Sequence, residues 1–227
     1  MKYRTHSHRF AESIIDADPE LKTEFSDIIS VIAGLSDQDL LSRLSRQRQA
    51  WADDKLEKNK VVNHNKALPK SLSKAINELL KERLVEKDWV AEPGIFRDTE
   101  YSKKSSSWRL DFAKSHTSIE VAFNHGEAIA HNLVKPVLAS QLNHVEKSIQ
   151  TRIGVIVTCT ESLKKAGNFD NAVGSYEKFI SYLKPYQNIL TCPIVLIGLE
   201  APDTFRINSK SREIELFGNN DKNPLLL

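Results

Sequence analysis

Cysteine is scarce in this 227-residue chain: Cys159 and Cys192 are the only two, and neither has a partner at metal-ligand spacing. Both flank strand-like apolar runs, so reduced, buried thiols in a cytosolic protein are expected. The 7 histidines are scattered, with no His-x₃-His or Cys-x₂-Cys pair, which argues against zinc. No stretch approaches the roughly 18 consecutive apolar residues of a membrane span. The opening run Met1-Lys-Tyr-Arg-Thr-His-Ser-His-Arg9 lacks the apolar core of a signal peptide. A cytoplasmic protein without membrane contact is the expectation. A Gly-rich phosphate loop and a nucleophile-base motif are also absent, which leaves little room for an unrelated metabolic enzyme. An excess of one charge is missing too. The 32 Lys+Arg and 30 Asp+Glu leave +2, so total charge announces no polyanion partner.

What is present is a soluble globular balance, 40% hydrophobic and 27% charged, in a length that fits one domain spanning residues 1–227. The distribution of charge says more than its sum. Arg43, Arg46, Arg48, Lys55, Lys58, Lys60, Lys66 and Lys70 make one region locally basic. Either a solvated helix face or a DNA contact explains such a run. Residues 51–70 read as a mobile basic segment and 203–227 as a C-terminal extension.

Helical spacing runs from about residue 9 to 33, broken near Asp18-Pro19, and a second helix starts from Ser36 and runs to about residue 50. Ser71 is placed to cap a helix over 72–87, followed by a short extended piece over 89–95 and a polar loop over 100–107. Residues 127–149 read as helical with a boundary or kink at Pro136. Arg152 to Thr158 and Pro193 to Gly198 read as strands buried on both faces. A long loop over 160–174 and a helix from Ser175 to Leu183 lie between them. The order predicts an α/β domain with a central mixed β-sheet flanked by helices.

One stretch carries chemistry. Arg109 to Ala113 and Ser118 to Phe123 each alternate polar with apolar residues, and Lys114 to His116 supply a turn between them. Asp111 and Glu120 stand about equally far from the turn, so in a regular hairpin they face each other. Opposite Cβ atoms are then roughly 4.5–5.5 Å apart. Two carboxylates that close repel, and a hard divalent cation such as Mg²⁺ between them relieves the repulsion. Two solvated acids on an exposed face fit the spacing equally well.

The pattern Asp-x₈-Glu is similar to the metal-binding core of the PD-(D/E)xK nucleases, and the chain more narrowly resembles type II restriction endonucleases of the BglII/BstYI family. Four pieces carry the resemblance, in the family's order, between about residues 8 and 202. They are Ile76 to Leu84 ending in Trp89, the hairpin Leu110 to Phe123, Gly174-Ser-Tyr-Glu177, and Pro193 to Pro202. The resemblance implies a restriction-endonuclease-like core and a Mg²⁺-dependent homodimer that hydrolyses phosphodiesters in double-stranded DNA. It suggests a palindromic site, GATC-centred by family likeness, and a DNA methyltransferase as functional counterpart. Asp111 and Glu120 would hold Mg²⁺ with the backbone carbonyl of Val121, and Glu78 on the preceding helix is a further candidate.

The third motif position departs from the pattern. It is Ala122, where the family has Gln and the wider superfamily Lys or Glu to orient or activate water. Arg109, which would lie across from Ala122, is one replacement; Lys114, His116 and Asn124 are within sequence reach. Alternatively the metal suffices alone, or the site is impaired and the protein only binds DNA. A nuclease for repair or modified DNA is a third reading of the function. For base recognition, Asn124 and His125 directly follow the motif strand, and the loop with Asn168, Asn171 and Ser175 is the second candidate. The stripe Ile129, Leu133, Val137, Leu138 and Leu142 is large enough to serve a subunit interface as well as the core.

Overall fold

The computed structural model describes residues 1–58, 68–98, 108–141 and 145–217. Six strands form one mixed sheet in the order β1-β6-β5-β4-β3-β2. They are β1 (Tyr3–His8), β2 (Val90–Ala91), β3 (Phe112–Lys114), β4 (Thr117–Val121), β5 (Ile153–Cys159) and β6 (Ile194–Leu199). The central strands β4, β5 and β6 are parallel, and the remaining neighbours are antiparallel. The mixed sheet flanked by helices is the architecture the sequence predicts.

On one face lie α1 (Ala11–Ala17), α2 (Pro19–Ala33), α3 (Asp37–Lys58) and α4 (Ser73–Val85). Leu21, Ile28, Ile32, Leu44 and Ile76 pack there against Ile119, Val155, Val157 and Ile197. On the other face lie α5 (Ile129–Ser140) and α7 (Tyr176–Leu183), with Ile129, Leu133 and Phe179 packed on Ile156, Ile194 and Leu196. Alternate residues of one strand therefore serve opposite cores, which is why β5 and β6 are buried throughout. The break at Asp18-Pro19 occurs as expected. The Asp18 carboxylate accepts the Glu20 and Leu21 N–H groups at 3.0 and 3.2 Å, and Pro19 opens α2.

Several elements differ from the sequence reading. The polar amino terminus is an edge strand, β1, paired with β6. α3 continues to Lys58, so the first part of the segment read as mobile is helical, while 59–67 and the loop at 100–107 lie outside the described residues. Ser71 does not cap α4; its hydroxyl bonds that of Ser73 instead. The loop at 160–174 holds a short helix, α6 (Glu161–Ala166), whose Leu163 N–H is capped by Thr160. The helix expected over 127–149 stops at Ser140, and Pro136 lies inside it. Pro136 is admitted there by Gly154 of β5, because a Cβ at that glycine would stand 2.4 Å from the proline Cβ. Phe205 and Ile207 of β7 (Phe205–Ile207), which pairs with β8 (Ile214–Leu216), join the core on the α1–α4 side. Both cysteines are free and buried, and burial pushes the thiols up to about 12 for Cys159 and about 11 for Cys192. Among the described residues no helix is long and apolar enough to cross a membrane.

Candidate active site

The β3–β4 hairpin turns through Ser115 and His116, since Lys114 already pairs with Thr117. The ladder continues through Ala113 opposite Ser118 and Phe112 opposite Ile119. The next pair in that register is Asp111 with Glu120, so the two carboxylates meet at the open end of the hairpin. β-Branched Thr117, Ile119 and Val121 hold β4 extended, and its neighbour Ile156 of β5 lies beside Glu120.

Glu120 is 2% exposed. Its Oε2 accepts a hydrogen bond from Lys135 Nζ of α5 at 2.7 Å, while its Oε1 is buried with no hydrogen-bond partner. Burial and the nearby Asp111 charge push the Glu120 carboxyl up to about 8, against the pull of Lys135. Asp111 is partly buried, and its Oδ2 accepts the Val121 N–H at 2.6 Å. Burial raises its pKa too, opposed by the Val121 N–H and by Lys135. Two desolvated carboxylates and an orphaned oxygen make a donor set that fits a hard divalent cation. A cleft of about 180 Å³ opens beside Asp111, lined also by Asn77, Lys81, Glu92, Phe112 and Val121.

The remaining expected residues fall in different places. Glu78 is turned away from the pair. Gln47 donates to it at 2.8 Å, and Arg43 and Lys74 flank it at 3.6 Å. Asn77, one residue earlier and about 100° round the helix, lines the cleft instead. Arg109 bridges Gly94 rather than facing Ala122, and its guanidinium donates to the Glu92 carbonyl. Lys114 is held by Asp27 at 3.1 Å and His116 by Glu20 at 2.9 Å, both at the turn end of the hairpin. Ala122 is 1% exposed and packed with Ile129, Leu133 and Tyr176. Sequence reasoning missed Lys135. The only signal for it was a lone cation in the apolar run Leu133-Val-Lys-Pro-Val137.

The two stretches proposed for base reading are joined. Gly126 N–H donates to the Ala172 carbonyl at 2.6 Å, and Gly174 N–H to the Asn124 carbonyl at 3.2 Å. Asn124, His125 and Asn171 are exposed on this joined surface. Asn168 and Ser175 have structural roles. Asn168 donates to the Lys70 carbonyl at 2.8 Å, and the buried Ser175 caps α7 by accepting the Lys178 N–H at 3.4 Å. Ile129, Leu133 and Val137 of the suggested interface stripe are consumed by the chain's own core, and Leu142 lies outside the described residues.

A mixed sheet flanked by helices, with the Asp111–Glu120 hairpin opening at one end of it, is the PD-(D/E)xK nuclease fold. The chain belongs to the BglII/BglIII restriction endonuclease family, whose model matches residues 3–199, and is thus a type II site-specific deoxyribonuclease. No curated protein sequence matches it. Among solved structures, it is similar to restriction endonuclease BglII complexed with a DNA 16-mer. The identity is 19% and the TM-score 0.59, over 94% of this chain and 87% of that one. Free BglII matches at 18% identity and a TM-score of 0.52, over 94% and 90% of the respective chains. Restriction endonucleases of this kind use a divalent metal.

Proposed function

We propose that this enzyme hydrolyses phosphodiester bonds of double-stranded DNA with Mg²⁺, at a short palindromic site that is GATC-centred. It acts as a cytoplasmic homodimer beside a DNA methyltransferase that protects the host sequence. The observation that carries this reading is Glu120: a buried carboxylate facing Asp111, with one oxygen left without a partner. A site built for stability alone would not desolvate two acids together. Asp111, Glu120 and the Val121 carbonyl are the oxygen ligands. A bound Mg²⁺ would neutralise charge developing on the scissile phosphate and lower the pKa of the attacking water.

The protein's own groups fix the geometry. The Val121 N–H holds Asp111 in one orientation, and the hairpin register holds Glu120 opposite it. The surface bearing Asn124, His125 and Asn171 faces the bases, where amides pair with adenine edges. Duplex DNA as the partner is supported by the DNA 16-mer bound to the similar BglII chain. A palindrome read twice calls for a two-fold dimer.

The test is a Mg²⁺ digest of unmethylated phage or plasmid DNA, with Asp111→Ala beside the wild type. Discrete fragments from the wild type alone support the reading, and sequencing of the fragment ends gives the site. The methyl group at Ala122 favours a second reading, a relative that binds DNA without cutting. Binding in Ca²⁺ with no cleavage in Mg²⁺ or Mn²⁺ would select it, whereas cutting of methylated DNA alone would point to a nuclease for modified DNA.

A further inference from the structure

Ala122 directly follows β4, two residues after Glu120 and on the same side of the sheet, and its methyl group offers no polar atom to a water or a phosphate. A cation nevertheless reaches this site from another element. Lys135 extends from α5 with its side chain only 13% exposed and its Nζ on Glu120 Oε2. Its charge also acts on Asp111.

We propose that Lys135 is the catalytic residue that fills the role left vacant at Ala122: its ammonium orients the attacking water against the scissile phosphate. The inference rests on reading Asp111 and Glu120 as the nuclease centre. Three observations carry it. The first is placement. Lys135 precedes Pro136, which sits against the bare backbone of Gly154, so this close approach of helix to sheet sets where the lysine emerges. The second is availability. Lys135 occupies one Glu120 oxygen and leaves the other without a partner, so a ligand can enter without expelling it. The third is elimination. Arg109, Lys114 and His116 are engaged elsewhere, and Asn124 Oδ1 accepts from Asn132 at 2.9 Å. An isolated buried ion pair is also a poor stabilising device, since an apolar pair of similar volume does as well or better.

In the step itself, a bond forms between the water oxygen and phosphorus, and the bond from phosphorus to the leaving sugar oxygen breaks. The water's proton passes to solvent, and the leaving oxygen takes one up from solvent. Lys135 remains an ammonium throughout, donating to the attacking oxygen and to a non-bridging phosphate oxygen.

The experiment compares wild type, Lys135→Met, Lys135→Arg and Asp111→Ala on unmethylated plasmid DNA, under single turnover at saturating Mg²⁺. DNA binding in Ca²⁺, Mn²⁺ affinity by calorimetry and thermal melting are read in parallel. Methionine keeps the apolar stem of Lys135, so the variant stays folded where alanine would leave a gap. Lys135→Met is expected to lose about 10²- to 10³-fold in rate, with Ca²⁺-supported DNA binding within a few-fold of wild type and Lys135→Arg retaining part of the rate. A rate within threefold of wild type, or one restored by more Mg²⁺, would reduce Lys135 to a group that only positions Glu120 and overturn the proposal. In that case Asp111→Ala would still be dead and the nuclease reading intact. A wild type that cuts nothing would overturn both.

Discussion

Asp111 accepts the backbone N–H of Val121 at 2.6 Å, so the first carboxylate of the pair is tied to the strand that carries the second. That bond separates two roles of one side chain. An amide at position 111 can still accept from Val121 but carries no charge against Glu120. Asp111→Asn is therefore expected to melt at or above the wild-type temperature, while Asp111→Ala melts below it, having orphaned the N–H at a cost of about 1–3 kcal/mol. Both variants lose plasmid cleavage. Equal melting temperatures for the two would show that the hydrogen bond contributes nothing.

Glu120 gives the metal-free protein an unusual pH dependence. Its folded pKa is raised to about 8 from 4.5, so the folded state binds the proton more tightly than the unfolded chain. The associated stability is fully present below pH 4.5 and is lost as pH rises through about 8. Denaturation series from pH 5 to 8.5 in EDTA should show wild-type stability falling, with a shallower slope in Glu120→Gln. Metal binding below pH 8 should release protons, measurable by titration calorimetry in buffers of different ionisation enthalpy.

Gly154→Ala places a methyl group where Pro136 already stands. Overpacking of this kind costs about 1–3 kcal/mol, and relief is available by lifting α5 off the sheet. The movement carries Lys135 away from Glu120. Cleavage should therefore fall by a larger factor than Ca²⁺-supported DNA binding does, and equal losses would indicate general unfolding.

The loop residues divide cleanly. Ser175→Ala should cost about 1 kcal/mol of stability, as loss of a helix cap does, and leave sequence preference unchanged. Asn171→Ala should leave the melting temperature within a degree or two of wild type, Asn124→Ala should lower it by orphaning the buried Asn132 amide, and both should weaken or relax site selection in fragment-end sequencing. Unaltered fragments from both variants would remove this surface from base reading.

The facing of Asp111 and Glu120 was legible in the sequence because a hairpin register depends only on local alternation and turn length. The buried strands β5 and β6 were legible for a similar reason: long β-branched runs have few other uses. β1 was not, since Tyr3-Arg-Thr-His-Ser-His8 is an edge strand whose exposed positions are polar. α6 is too short for periodicity to report. The site's surroundings depended on tertiary crossings. One residue of helix rotation decides between Glu78 and Asn77, and only the seating of α5 on Gly154 brings Lys135 to a strand fifteen residues back in the chain.

The backbone bonds that join Gly126 to Ala172 and Gly174 to Asn124 also bear on how such an enzyme could diverge. Two segments far apart in the sequence are tied together by backbone hydrogen bonds. On the proposed base-reading role, a substitution that retunes one loop would disturb the other, and a new target sequence would be reached through paired changes. If this surface reads bases beside a cognate methyltransferase, as proposed, that linkage would make single-step drift in specificity rare and keep the two activities in step.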